Sequence, residues 1–470
     1  MSRRESVRRA AGAAASPALA QEPLYREKYR PQFHFTPKKG WHNDPNGLVF
    51  YQGEYHLFFQ HNPFDTKWGN MTWGHAISTD LVHWTQMANS LEPDRMGTMF
   101  SGSAVVDWNN TAGFQKGAEK TLVTIYTAAG GTSPESKGQP FTQCIAYSTD
   151  RGRTWTKYAG NPVVPHMVGS NRDPKVVWHA PTRRWIMALY LDANDFRFLS
   201  SPDLKTWTKL HDITVPGCAE CPDFFEIAVE GEPDATKWVW TAANGRYLVG
   251  TFDGKRFIPE VMTQPGHYGQ NYYAVQTYSD LPNGRRVQLG WMNRSEFPGM
   301  PFNQQMSFPY ELKLRRTPAG LKLCGLPVKE IKLLHGTPRT WQDLELKPGE
   351  NPLANLSGEL WDISAVIEPA GASEVGFRVR GWRVGYRVKE EQLVADSNPG
   401  AAMAAQNGRI MLRLLVDRTS IETFGNDGEV VMPNSFLPKD EDMELAIYTA
   451  GGTAKIVSLT VWPMRRAWPE

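Results

Sequence analysis

Three acidic residues head short polar motifs in the first half of the chain. They are Asp44 in Asn43-Asp44-Pro45-Asn46-Gly47, Asp173 in Arg172-Asp173-Pro174 and Glu220 in Glu220-Cys221-Pro222. Each motif runs into an apolar stretch of strand character: Leu48-Val49-Phe50, Val176-Val177 and Phe224-Phe225. A lone acid at a strand start is ordinarily a turn or cap residue. Three at equivalent places invite a chemical reading, because carboxylates gathered together raise one another's pKa, a cost characteristic of functional sites. Paired carboxylates serve glycoside cleavage: one, ionised, attacks the anomeric carbon while the other, protonated, donates to the leaving oxygen. Asn43 and Asn46 can donate to an ionised Asp44, which suits it to be the nucleophile. Cys221, Pro222 and Phe224-Phe225 put apolar bulk around Glu220, which should raise its pKa and suit it to general acid/base work. Asp173 then accepts hydrogen bonds from ring hydroxyls and stabilises an oxocarbenium-like transition state. Arg172 is expected to hold it ionised, unless the two form only a surface pair.

Acids so far apart in sequence meet only if repeated units bring their heads to one place. Five segments share such a head: Asn43 to Phe50, Phe100 to Asp107, Arg172 to Val177, Glu220 to Phe225 and Asn271 to Val275. Short apolar runs separated by Gly, Pro, Asn and Asp follow each one, with almost no long helical periodicity. Late in most units a second signal recurs: Ser78-Thr79-Asp80 before Trp84, Ser148-Thr149-Asp150 before Trp155, Ser201-Pro202-Asp203 before Trp207, and Thr251-Phe252-Asp253 before Phe257. Each is expected to be a hairpin turn followed by an aromatic packed between neighbouring sheets. Repeats of about 40–50 residues with several strands each are a propeller signature. The alternative is an irregular β-sandwich that mimics a repeat. The expected fold is all-β: a five-bladed β-propeller over residues 24–337, a linker over 338–352, and a C-terminal β-sandwich over 353–468. The tail carries no chemical cluster of acids or histidines, and the preferred role for it is packing.

Composition narrows the function classes. The chain has 470 residues and a formal net charge of +2, which leaves no electrostatic footprint for nucleic acid or an anionic membrane. No run of about 18 apolar residues exists, so no membrane span is expected. The 17 Trp and 16 Tyr offer flat faces for sugar rings, though β-rich cores use them too. Four cysteines, Cys144, Cys218, Cys221 and Cys324, are too few for a disulfide scaffold, and the single C-x-x-C lacks partners for zinc. Neither a metal nor another cofactor is expected. Residues 1–20, with Arg3, Arg4, Arg8 and Arg9 before an Ala/Gly-rich stretch ending Ala18-Leu19-Ala20, read as a signal peptide or a disordered basic tail. A secreted or periplasmic location, by twin-arginine or Sec-type export, follows from the first reading.

At these residues the sequence resembles glycoside hydrolase family 32, the invertases, inulinases and levanases. Trp41-His42-Asn43-Asp44-Pro45-Asn46-Gly47 is similar to the family's W-M-N-D-P-N-G, and Arg172-Asp173-Pro174 and Glu220-Cys221-Pro222 match its R-D-P and E-C-P. Phe100-Ser101-Gly102-Ser103, Trp73-Gly74-His75-Ala76 and, in the tail, Val416 to Glu422 extend the likeness from about residue 30 to the C-terminus. The resemblance implies a retaining double displacement through a covalent fructosyl-enzyme. Asp44 is then the nucleophile, Asp173 the transition-state stabiliser and Glu220 the acid/base. It also implies that Asn43, Gln60, Trp68, Phe100, Ser101, Arg172 and Trp291 line a pocket for the terminal fructose, with core packing the alternative for Trp68 and Trp291. Fructan or sucrose is the implied substrate, and the stretches 69–84 and 100–114 resemble levanases and exo-inulinases more than invertases. Fructosyl transfer, which shares all three acids, is the alternative among enzymes; a non-catalytic sugar-binding propeller is the alternative outside them. Three departures bear on specificity: His42 where the family has Met, expected to alter the polarity near Asp44, and His267 and Asn271 where it often has acids. His267 is read as a structural histidine or a second proton donor. Oligomeric state is not legible.

Overall fold

The computed structural model describes residues 24–396 and 398–468. The stretch read as an export signal lies outside them. Five antiparallel sheets follow one another along the chain. The first contains Gly40–Tyr51, Glu54–Asn62, Thr72–Ser78 and Thr85–Gln86; the second Thr98–Asp107, Thr121–Ala129, Phe141–Ser148 and Thr156–Lys157. The third contains Arg172–His179, Arg184–Asp192, Asp195–Ser201 and Thr208–Thr214; the fourth Asp223–Val229, Glu232–Thr241, Tyr247–Phe252 and Phe257–Pro259. The fifth is built from Tyr273–Thr277, Val287–Trp291, Tyr310–Thr317 and Gly320–Pro327, and a single parallel pair, Val229 with Leu314, links it to the fourth. First strands of successive sheets neighbour one another, and the fifth's lies against the first's, so the ring closes into the expected five-bladed propeller.

The recurring turns have a common chemistry. In three blades a serine hydroxyl donates to the aspartate two residues on, from Ser78 to Asp80, Ser148 to Asp150 and Ser201 to Asp203. Each aspartate then accepts backbone N–H groups just downstream, fixing an Asx-type turn without help from distant residues. Asp253 does the same in the fourth blade. Two of the aromatics that follow reach a neighbouring blade: Trp155 meets Phe58 edge-on, and Phe257 packs on Phe198 as well as on Phe224 of its own blade. Polar ties join the inner strands across the axis. Ser103 Oγ donates to Pro174 O, Gln276 donates to Gly102 O, and buried Lys175 bridges Asp223 and Thr277 O.

The C-terminal unit is a two-sheet sandwich. Its six-stranded sheet runs in the order Arg339–Leu346, Ala454–Pro463, Trp361–Glu368, Ile410–Asp417, Ser420–Gly425, Val430–Ser435. The facing sheet runs Ala401–Ala402, Gln392–Ala395, Trp382–Arg387, Glu374–Val379, Leu445–Ala450. Ile363, Phe377, Leu414 and Ile447 fill the space between. Much of the stretch read as a linker is therefore the edge strand Arg339–Leu346. Seven of its eight side chains retain solvent exposure, so the sequence shows no apolar stripe there.

Propeller and sandwich share one core, in which Leu415, Phe424 and Trp468 pack with Phe33, Phe308 and Tyr310. A buried polar clamp crosses it. His34 contacts Asp417 through Nδ1 at 2.8 Å and Glu422 through Nε2 at 2.9 Å. Asp417 also accepts the N–H groups of Gln32 and Phe33, while Glu422 accepts the Tyr310 hydroxyl and the Phe308 N–H. The two carboxylates outweigh the burial that would strip the proton from His34, and its pKa rises to about 9. Burial opposes ionisation of Asp417, but His34 and the backbone donors overcome it and hold its carboxyl below the usual range.

Candidate active site

The inner strands of four blades lose register at their heads. The shifts fall between His42 and Pro45, Phe100 and Gly102, and Tyr273 and Gln276, and in the third blade along the strand that Arg172 opens. Such bulges re-aim side chains out of strict alternation, and here they turn Asp44, Ser101, Asp173 and Tyr273 toward one mouth. Gly47 helps to seat the first of them: its φ is +54°, and a Cβ there would lie 2.6 Å from the Phe58 ring. In the fourth blade Glu220 and Cys221 take left-handed backbone at φ 58° and 40°, and Asp173 does so at 63°. Non-glycine residues held there store strain, a habit of functional sites.

Asp44 accepts hydrogen bonds from Ser101 Oγ at 2.5 Å and from Asn43 Nδ2 at 3.0 Å, and Asn43 is held in turn by Trp41 Nε1. Asn46 was expected to donate to Asp44 and does not. With its amide oriented by its partners, it donates to Ser101 Oγ and accepts from Gln60 Nε2, so it braces the serine and is itself held by Gln60. The Cys221 thiol lies 3.5 Å from Asp44 Oδ2 and 3.4 Å from Asp173 Oδ2, so the two aspartates flank one sulfur. Asp173 also accepts the Cys221 N–H at 3.0 Å. Burial is the main force raising the Asp44 carboxyl, with Glu220 adding to it. Burial pushes Asp173 up to about 7 against the pull of Arg172, and Asp44 and Glu220 push the same way.

Glu220 differs from expectation. Its side chain is 31% exposed rather than sealed in apolar bulk, and Arg172 pairs with it at 2.5 Å. Arg172 lies farther from Asp173, at 3.7 Å, and stacks over Tyr190. The second Glu220 oxygen accepts the Tyr273 hydroxyl at 2.5 Å. Burial and the Glu220 charge keep that phenol protonated and therefore a donor.

The pocket candidates assemble around this group. Phe100 meets Phe141 and Trp68 edge-on, and Trp68 is 56% exposed, which excludes core packing for it. Trp291 sits edge-on to Trp41 and Tyr273, with its Nε1 on Gln304. The three departures face elsewhere. His42 is buried between Phe35 and Phe59, and burial lowers its pKa to about 3, so it leaves the polarity around Asp44 alone. His267 contacts Asn244 O through Nε2, and its pKa is lowered to about 4 by burial; it is a structural histidine rather than a proton donor. Asn271 holds Asn293 O and the Ser435 N–H, fastening the fifth blade to the sandwich. Tyr273, Cys221 and Phe141 were missed by sequence reasoning. Cys221 and Tyr273 left a trace, standing at the heads of the fourth and fifth repeats, where the other units carry site residues; Phe141 left none. A hollow of about 540 Å³ lies at the far end of the blades, but the pairs Lys313–Glu230 and Arg285–Glu330 engage its charges.

A propeller mouth that gathers carboxylates of different surroundings beside exposed aromatics is the equipment of an enzyme that cleaves glycosidic bonds. The chain belongs to glycosyl hydrolase family 32: that family's N-terminal domain model matches residues 34–325 and its C-terminal model residues 330–463. Its sequence is 41% identical over 505 residues to a levanase of Bacillus subtilis (strain 168), covering 97% of this chain and 73% of that protein. It is 30% identical to an extracellular exo-inulinase of Aspergillus awamori, over 94% of this chain and 96% of that one. A crystal structure of exo-inulinase from Aspergillus awamori superposes with a TM-score of 0.85 at 29% identity, covering 94% of this chain and all of the other.

Proposed function

We propose that this enzyme removes terminal β-D-fructofuranosyl units from fructans such as levan and inulin, and from sucrose, with retention of configuration. Asp44 attacks the anomeric carbon and forms a covalent fructosyl-enzyme while Glu220 protonates the departing oxygen; Glu220 then takes a proton from the water that releases fructose. Ser101 and Asn43 orient the nucleophile. Asp173 accepts ring hydroxyls as positive charge develops, an interaction strongest in the transition state. Arg172 and the Tyr273 hydroxyl hold the Glu220 carboxyl in position for both steps. Asn43, Gln60, Trp68, Phe100, Ser101, Arg172 and Trp291 are assigned to the terminal-sugar pocket.

The observation that carries this reading is the junction of Asp44, Asp173 and Glu220 around Cys221, built from three different blades. The test is the product profile of purified protein on levan, inulin and sucrose. Fructose alone, released from all three with the polymers favoured, is expected. A ladder of oligomers, or products with added fructose, would overturn exo-hydrolysis. Secretion is proposed from the N-terminal sequence pattern and the extracellular Aspergillus relative; recovery of the protein solely inside the producing cell would exclude it.

A further inference from the structure

Phe64 is 81% exposed, an unusual setting for a phenylalanine ring. Its loop is nevertheless held firmly. The Phe64 N–H donates to Asn62 Oδ1 and Asn62 Nδ2 donates to Lys67 O. The Trp41 N–H donates to Asp65 O, and Asn303 Nδ2 to Thr66 O. Two of these ties come from outside the loop, and Trp41 is itself bonded to Asn43, the neighbour of the nucleophile. Trp68 shares the loop, and its ring lies 6.1 Å from Phe100, which precedes the Ser101 that donates to Asp44. Phe64 precedes Trp68 on this loop, which therefore carries two exposed rings, 81% and 56% exposed, next to Phe100.

We propose that Phe64 is an outer subsite, a platform for furanose units of a fructan chain beyond the leaving sugar. The proposal rests on the fructanase reading above. A sugar's C–H face covers an aromatic ring favourably, and a loop already fixed loses little freedom when it binds. Sucrose ends before this platform, whereas levan and inulin extend across it. Phe64 thus contributes to polymer preference without touching the reacting atoms.

Phe64→Ala is expected to lower kcat/KM on levan or inulin about five- to tenfold while sucrose stays within about twofold. Phe64→Trp should retain polymer activity. Equal losses on polymer and sucrose, or no loss on either polymer, would overturn the subsite. Parent protein that releases no fructose from any of the three substrates would remove the fructanase reading, and the subsite with it.

Discussion

Two regions of the molecule bury acidic side chains, and the protein treats them oppositely. In the clamp between propeller and sandwich, Asp417 and Glu422 share His34 and collect backbone and phenol donors, and the Asp417 pKa falls. At the propeller mouth one arginine serves Glu220 and Asp173 and leaves Asp44 without a cation, and the pKa of Asp173 climbs to about 7. The residue types are the same, and burial penalises charge in both places. What differs is what surrounds the charge: Asp417 accepts four backbone N–H groups besides His34, whereas Asp173 accepts one N–H and a thiol. The clamp satisfies its charges and holds two units together; the mouth leaves charge under-compensated, ready for a substrate carrying hydroxyls and developing positive charge. A buried acid thus reports on function only after its donors have been counted.

The sharpest way to break this contrast is Asp44→Asn. We expect kcat to fall about 10⁴-fold or more with the melting temperature unchanged or raised, read by steady-state kinetics and a thermal melt. Near-parental turnover would take Asp44 out of the chemistry. Asp417→Asn should do the reverse. It leaves His34 short of a buried partner and costs about 3–5 kcal/mol in denaturant unfolding, while activity per folded molecule stays close to the parent's. An unaltered unfolding midpoint would show that the clamp carries no stability.

Asp173→Asn combines the two outcomes with opposite signs: kcat lower by about 10²-fold or more, and stability higher by about 1 kcal/mol. Loss of stability there would mean the mouth is as well compensated as the clamp. The pH dependences provide the finest test. His34 has a raised pKa, so its stabilisation is complete below the ordinary imidazole value and is lost as pH rises through about 9. The stabilisation from Asp417 is present above the ordinary carboxylate value and is lost as pH falls through its lowered one. The ionised form of Asp173 is instead lost as pH falls through about 7. The acid limb of kcat/KM should therefore lie near neutrality, well above the pH at which the fold begins to fail in acid. Coincident acid limbs for activity and melting would contradict the separation.

Much of this was legible in the sequence because it is local. The Ser-x-Asp turns build themselves from neighbouring residues, and their recurrence announces the blades. The three acids stood out because their motifs recur at blade heads. Pairings across blades were not legible. Arg172 turning to Glu220, Tyr273 completing that carboxylate and Asn46 bracing Ser101 all depend on bulges, and a bulge breaks the alternation from which facing is inferred. His42 was misjudged for the same reason: it enters the aromatic core although it adjoins the nucleophile's motif. The strand Arg339–Leu346 read as a linker because an edge strand facing solvent keeps its polar residues. His34 carried no signal, since its partners lie nearly four hundred residues away.

The position of Cys221 has a consequence for durability. A thiol reacts with oxidants and alkylating reagents through its thiolate, and burial among Asp173, Asp44 and Glu220 drives the pKa of this thiol well above its usual value. The same crowd of acids that makes the mouth costly to assemble thereby keeps the sulfur at its centre in the inert form. All four cysteines are unbridged, so a reducing agent finds no disulfide to open, and an oxidant meets Cys221 as a protonated thiol.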